Sequence, residues 1–464
     1  MMTRSASDAA ATGDMASRAA ALLRANDLGE WTKAAPRLYP HQWSWDSAFI
    51  AIGWAQLDPQ RAMRELTTLF AAQWETGLVP HIVFNPEVPA ESYFPDAARW
   101  DCRTLTEAAP LAPATSGLCQ PPVHAIAAHR IWSIAQRGEP STREGIDVAL
   151  QDLFPRLMAW HRYLATARDS EHSGLVTIVH PWESGTDNSP RWDQAMEMIL
   201  VGDLPPYSRV DLQHVADPAQ RPTNEEYDRY LWLVELLKQV NYDDALIYES
   251  HPFLVKDILF SAIFVAANRA LLALADLCDA SDDDRRSLEE WRDRGYRGLD
   301  QQWDAEMGLA LDWNVSSADS IRVQTVAGFA PLIAGDPNQE RRAAVLATLG
   351  APSFLGHPDL RWPLPPSTSP NDDGFRPRSY WRGPVWPVIT WLLWWALAEI
   401  GESEHASHLR TAGLAQLDAV GFAEYVEPFT GEPLGAADQS WTAAVALDWL
   451  AAPDEPTESP NPPG

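Results

Sequence analysis

Positive charge is what this chain of 464 residues has least of: 35 Lys and Arg stand against 64 Asp and Glu, a formal net charge of -29. Such a polyanion repels nucleic acid and anionic lipid, so neither nucleic acid nor a membrane is expected as a partner. An anionic ligand would need positive charge supplied locally. Cysteine is also scarce. Cys102, Cys119 and Cys278 form neither a disulfide framework nor a zinc spacing, which points to a reducing compartment and a cytoplasmic protein. Residues 1–15 lack the apolar centre of a secretory signal. The most apolar stretch, 384–400, contains Pro387 and Thr390 and closes on Glu399; it is short for a membrane span and reads as a buried helix. No Gly-x-Gly-x-x-Gly, Walker loop, His-Glu-x-x-His or serine elbow occurs, so no cofactor and no metal are expected. The run Asp282 to Asp284 lacks calcium-loop spacing. Behind Ser281 it reads as the first turn of a helix.

Apolar residues make up 46% of the chain, ample for a large core. The 22 tryptophans exceed what a core needs, and sugar clefts use indole faces against pyranose C–H groups. Some of them are simply large core residues. Periodicity is helical almost throughout, near 15–28, 46–57, 59–76, 121–137, 144–168, 191–201, 223–241, 252–279, 281–303, 317–328, 338–349, 384–400, 403–418 and 438–451. Asp58-Pro59 and Thr223-Asn224-Glu225-Glu226 are clean helix starts. Strand-like alternation is scarce, with 175–179 the best case. An apolar helix followed by a charged one occurs at 252–279 and 281–303, and again at 384–400 and 403–418. Inner helices covered on both sides and outer helices covered on one produce this alternation. The expected fold is therefore all-α: an (α/α)6 toroid forming one domain over 15–451. Tails are expected at 1–14 and 452–464. Connections near 77–118, 168–222, 350–383 and 419–437 are unusually long; the first three are assigned to a cap over the central funnel.

The candidate chemistry sits in these loops. The stretch from His180 through Trp182, Glu183, Gly185 and Asp187 to Trp192 puts two carboxylates and two indoles into a turn-rich segment. Taken alone it reads equally well as a capped turn with core tryptophans. Four further loops mix aromatics with hydrogen-bonding groups: Tyr39 to Ser47, Gly77 to Tyr93, Tyr380 to Pro387, and Gly421 to Trp441. Breaking a glycosidic bond needs one carboxylic acid to protonate the leaving oxygen and a second carboxylate to activate water or attack. The last loop offers Glu424, Glu427 and Glu432, and their pattern alone does not choose among them. Taken singly, Asp46 reads as a helix N-cap, His81 as a core histidine, Arg221 as a solvated loop residue and Arg382 as the partner of some buried acid.

Three motifs in order carry a resemblance: Tyr-Pro-His-Gln-Trp-Ser-Trp-Asp-Ser at 39–47, Trp-Glu-Ser-Gly-Thr-Asp-Asn-Ser-Pro-Arg-Trp-Asp at 182–193, and Glu-Tyr-Val-Glu-Pro-Phe-Thr-Gly-Glu-Pro-Leu-Gly at 424–435. Together they resemble glycoside hydrolase family 63, in particular its glucosylglycerate and mannosylglycerate hydrolase branch, over nearly the whole chain between the tails. The resemblance implies an inverting α-glycosidase with Asp187 as general acid and Glu424 as general base. It places Trp45, Asp46, Trp381, Arg382 and Trp386 at the cleaved hexose. Tyr39, Trp43, His81, Tyr93, Gln120, Trp182, Gly185 and Tyr380 line the same pocket. It further implies that Arg221 pairs with the glycerate carboxylate, that the Tyr227 hydroxyl assists, and that the chain self-associates. Neutral disaccharides, as for a trehalase or α-glucosidase, and non-catalytic sugar binding remain the competing readings.

Overall fold

The computed structural model describes residues 6–89, 92–213 and 220–453. The chain opens with α1 (Ala6–Asn26), α2 (Ser44–Ala55) and α3 (Pro59–Ala71), passes two single-turn helices, α4 (Ala97–Trp100) and α5 (Cys102–Leu105), and continues with α6 (His124–Ala135) and α7 (Pro140–Thr166). The short α8 (Asp193–Glu197) precedes α9 (Asn224–Gln239), α10 (Asp244–Ser250), α11 (Ile258–Leu274) and α12 (Asp282–Gln301). Then come α13 (Ala330–Ala334), α14 (Gln339–Leu349), α15 (Pro387–Glu399), α16 (Ser403–Val420) and α17 (Ser440–Ala451).

Contacts among these helices close on themselves. Helix α2 packs on α6, α6 on α11, α11 on α13, α13 on α15, α15 on α17, and α17 returns to α2. Each has an outer companion: α3 on α2, α7 on α6, α12 on α11, α14 on α13, α16 on α15 and α1 on α17. Composition explains the two layers. Every residue of α2 is buried, as is nearly all of α11 and α15. Helix α12 buries only the stripe Leu288, Trp291, Gly295, Gly298 and Leu299 and turns its charges outward. Caps hold the helix starts: Asp58 accepts the Gln60 and Arg61 amides ahead of α3, and Thr223 forms a capping box with Glu226 at α9. No helix among the described residues is long and apolar enough to cross a membrane.

The structure corrects three expectations. The stretch 317–328 is not a helix. Residues Asp312–Asn314 and Asp319–Ile321 pair instead as antiparallel strands. The Asn314 side chain accepts the Ser316 and Ser317 amides and Ala318 takes φ 52°, so the Ser-Ser-Ala-Asp run is a hairpin turn rather than a helix start. These strands join Val255–Lys256 and Thr177–Ile178 in a four-stranded antiparallel sheet, the second of which carries the strand expected at 175–179. The helix expected over 191–201 shrinks to Asp193–Glu197 behind a 3-10 turn at Pro190–Trp192. Upstream, α1 begins at Ala6, inside the expected tail, because its alanine-rich start favours helix and α1 lies against α17. Residues 1–5 and 454–464 of the expected tails lie outside the described residues.

The ring is tight where α2 meets α17. A Cβ on Gly53 would stand 2.3 Å from Ala444 Cα. Gly53→Val should therefore push two inner helices apart and lower stability by about 1–3 kcal/mol, read as a lower denaturant midpoint at unchanged m-value. An unchanged midpoint would show that the two helices part without strain.

Candidate active site

The loop carrying Asp187 is pinned from every side. It begins where the strand Thr177–Ile178 ends. His180 accepts the Trp182 amide on Nδ1 at 3.0 Å and meets the Tyr230 carbonyl through Nε2 at 3.0 Å, which fixes its tautomer. Burial lowers its pKa to about 3, so the ring stays neutral. Gly185 sits at φ 70°, and a Cβ there would lie 2.6 Å from the Trp45 ring; only glycine meets both conditions. Arg191 donates to Thr186 Oγ1 at 2.8 Å and pairs with buried Asp257 and Asp312. The Trp192 indole donates to the Thr186 carbonyl at 3.0 Å, and the Tyr230 hydroxyl to the Asp187 carbonyl at 3.1 Å. Glu183, the other carboxylate of this loop, faces away. It accepts both Arg168 guanidinium nitrogens and the Val179 and Cys119 amides in a fully buried ion pair.

Glu424 comes from the opposite end of the chain. Strand Tyr425–Val426 pairs with Pro433–Leu434, and the hairpin returns so that the Ala436 amide donates to Glu424 Oε2 at 2.7 Å. Gly435, at φ 73°, makes that approach possible: a Cβ there would lie 2.4 Å from Oε2. Tyr39 and Tyr380 donate to Oε1 at 2.7 and 3.3 Å. The other two acids of the block are engaged elsewhere. Glu427 accepts the Phe429 and Thr430 amides and the Thr430 hydroxyl inside its own turn, and Glu432 pairs with Arg378.

Asp187 and Glu424 line one cavity. Tyr39, Trp43, Trp45, Asp46, His81, Tyr93, Gln120, Trp182, Gly185, Arg221, Tyr227, Tyr380 and Trp381 line it too. Asp46 lies within the first turn of α2, whose N-cap is Trp43, so it is not the cap that its position suggests. His81 combines two environments, with its ring on the cavity and Nδ1 bonded to Ser116 Oγ at 2.5 Å. The Tyr227 hydroxyl is already used, donating to the Phe94 carbonyl at 3.2 Å. Two expected residues stand off the cavity. Trp386 lies behind Trp381, stacked at 3.6 Å with planes 4° apart, and is fully buried. Arg382 turns the other way and pairs with Asp193, at 2.7 Å from Nη1 and 2.5 Å from Nη2. It is thus the partner of an acid and does not line this cavity.

Desolvation dominates the electrostatics of the cavity. Burial lifts Asp187 to about 7, against the pull of Arg221 and with help from the negative charge of Glu424. Asp46 rises well above the carboxylate range through burial, reinforced by Glu424 and Asp187. Glu424 is also raised by burial, opposed by Arg221, the Ala436 amide and the Tyr39 and Tyr380 hydroxyls. Arg221 lies over the Tyr380 ring at 4.8 Å and reaches the Tyr39 hydroxyl at 3.4 Å; its buried Nε has no partner among the described residues. One carboxyl raised by burial to about 7 and another surrounded by donors thus share a single aromatic hollow.

Residues 39–442 match the model of the mannosylglycerate hydrolase MGH1-like glycoside hydrolase domain. The chain is 50% identical over 436 residues to the glucosylglycerate hydrolase of Mycolicibacterium hassiacum, covering 94% of this chain and 97% of that one. It is 42% identical over 438 residues to the mannosylglycerate hydrolase of Thermus thermophilus, covering 93% and 99%. The crystal structure of a family 63 mannosylglycerate hydrolase from Thermus thermophilus in complex with Tris and D-glycerate superposes with a TM-score of 0.85 at 42% identity, covering 94% of this chain and 99% of that one. This chain belongs to the MGH1-like glycoside hydrolases of family 63.

The hydrolase also brings to its cavity residues that sequence reasoning missed. Tyr230 lines it, one helical turn beyond Tyr227; that i, i+3 spacing on α9 was the available signal. Gln439 and Trp441 line it from the start of α17. Both amide atoms of Gln439 are buried and unpartnered among the described residues. A ligand hydroxyl would relieve that. Gln439→Ala should weaken hexose binding to the hydrolase by about 1–3 kcal/mol while leaving the free protein equally or more stable. Calorimetric titration with glucose beside thermal unfolding checks both signs; undiminished affinity would remove Gln439 from the site.

Proposed function

We propose that this glycoside hydrolase cleaves glucosylglycerate, with mannosylglycerate as a second substrate, to hexose and glycerate with inversion. The observation that carries the reading is the shared cavity: Asp187, Glu424 and the guanidinium of Arg221 face one hollow walled by Trp43, Trp45, Trp182 and Trp381. The glucosylglycerate hydrolase relative at 50% identity and the glycerate-bound mannosylglycerate hydrolase structure support the substrate class. The closed circuit of inner helices with outer companions is read as an (α/α)6 toroid, one domain capped by its long connections. Three free thiols suit the cytoplasm.

In the proposed reaction the hexose stacks on the indoles and hydrogen-bonds to Asp46 and Gln120. The glycerate carboxylate meets Arg221. Asp187 passes its proton to the glycosidic oxygen as the bond from that oxygen to the anomeric carbon breaks. A water on the opposite face attacks the same carbon and gives its proton to Glu424. Proton exchange with solvent then restores both acids. Burial suits each role: it keeps the Asp187 proton on near neutrality, and Arg221, Ala436, Tyr39 and Tyr380 favour the ionised form of Glu424.

Asp187→Ala and Glu424→Ala should each lower kcat by at least about 10³-fold with unfolding unchanged; near-normal turnover of either variant would overturn its role. A panel of glucosylglycerate, mannosylglycerate, trehalose and kojibiose tests the substrate, and the first anomer seen by NMR tests inversion. A product with retained configuration would exclude Glu424 as a base acting through water. The acid works protonated, so the alkaline limb of the kcat/KM profile should fall through about pH 7, the value that burial sets for Asp187 in the free protein. Tyr39→Phe removes a donor to ionised Glu424, raises its pKa further and should move the acidic limb to higher pH. Arg221→Ala should raise KM far more than it lowers kcat.

A further inference from the structure

A second, more open cavity lies beside the first. Arg221, Pro222 and Tyr230 line both, so Arg221 stands in the partition. Asn188 and Ser189, next to Asp187 in sequence, face this outer chamber. Arginine dominates its lining: Arg209, Arg221, Arg229, Arg376, Arg378 and Arg382. In a chain with 35 basic residues against 64 acidic ones, that concentration is unexpected.

Pairing shows where the charge is not cancelled. Arg209 is paired with Asp211, Arg378 with Glu432 and Arg382 with Asp193. Arg221 and Arg229 meet no carboxylate within ion-pair range among the described residues. Arg376, which is exposed, spends its Nη1 on the Asp373 and Phe375 carbonyls, neutral groups that leave its charge whole. Against these stand two lining acids without an arginine partner, Glu197 and Glu226, and Glu226 is held by the Thr223 amide and hydroxyl. The chamber therefore keeps a positive excess on a molecule whose overall field is strongly negative.

Resting on the proposed substrate class, we propose that this outer chamber is a separate capture site for small carboxylates. It takes the anionic end of the substrate before that end reaches Arg221 and passes the carboxylate product outward afterwards. A substrate carrying one negative charge approaches a protein carrying formal charge -29, and unaided encounter would be slowed. Unpaired arginines at the mouth, screened only over a Debye length, reverse the sign of the field where the substrate arrives.

That sign is directly measurable. From about 10 mM to about 150 mM salt the Debye length falls from about 30 Å to about 8 Å. Repulsion by the whole protein would make kcat/KM for glucosylglycerate rise over this range. A capture chamber makes it fall, by about three- to tenfold. Arg229→Gln with Arg376→Gln, neither placed in the catalytic machinery, should lower kcat/KM at low salt and flatten or invert the dependence while leaving kcat unchanged. Arg286→Gln with Arg292→Gln on α12, outside both cavities, changes the net charge equally and should retain the wild-type slope. A wild-type kcat/KM that is constant or rises with salt overturns the proposal, as does a chamber variant that matches the α12 control. Failure to hydrolyse glucosylglycerate at all would instead refute the substrate assignment.

Discussion

Removal of water from three carboxyls is the constraint on which the molecule depends. Asp46, Asp187 and Glu424 face one hollow, and each is displaced upward chiefly by burial. Ionised together and unpaired they would destabilise the fold; burial makes carboxyls hold protons, and Arg221, the one guanidinium lining the cavity among the described residues, opposes that tendency. Arg221 and a backbone amide lower both Asp187 and Glu424, but only Glu424 also has two tyrosine hydroxyls directed at it. That difference in hydrogen bonding separates the two acids chemically, and by exposure Asp187 is also the less deeply buried of the two. It also explains why the loops are so heavily braced. A carboxyl whose proton affinity is set by desolvation must not drift toward solvent, and Arg191, Trp192 and Tyr230 hold the backbone at 186–187 against such drift.

Much of this was legible in the residue order. Alternation of apolar and charged helices anticipated the inner and outer layers, because burial on two sides or one leaves a direct compositional trace at α11, α12, α15 and α16. Local start signals at Asp58 and Thr223 worked because capping is decided within four residues. The motifs brought most of the expected residues to one cavity. What stayed illegible depends on partners distant in the chain. Trp381 and Arg382 are neighbours, yet one faces the cavity and the other Asp193. Nothing in the order Tyr-Trp-Arg-Gly-Pro tells which. Glu424, Glu427 and Glu432 look alike until a hairpin sends the Ala436 amide to the first, folds a turn around the second and offers Arg378 to the third. The hairpin near 314–319 was missed because a few serines and an aspartate serve a turn as readily as a helix start.

Charge serves different ends at different depths. The acidic excess of the chain as a whole favours solubility. Buried arginines act as structural fasteners: Arg168 on Glu183 ties α7 to the loop bearing Asp187, and Arg191 ties the same loop to the cap of α11 through Asp257. Arg221, Arg229 and Arg376, which have no carboxylate partner among the described residues, face the outer chamber.

Tyr380 has a consequence of its own. Its φ of 30° lies in the left-handed region that a bulky side chain avoids, at a conformational penalty of about 1–3 kcal/mol. The same twist lets its hydroxyl touch both Glu424 and Tyr39 while its ring receives Arg221. Asparagine or glycine would relax the backbone and lose all three contacts. Selection for heat resistance alone would therefore drift away from tyrosine here, and its persistence in a lineage would record pressure for turnover rather than for robustness.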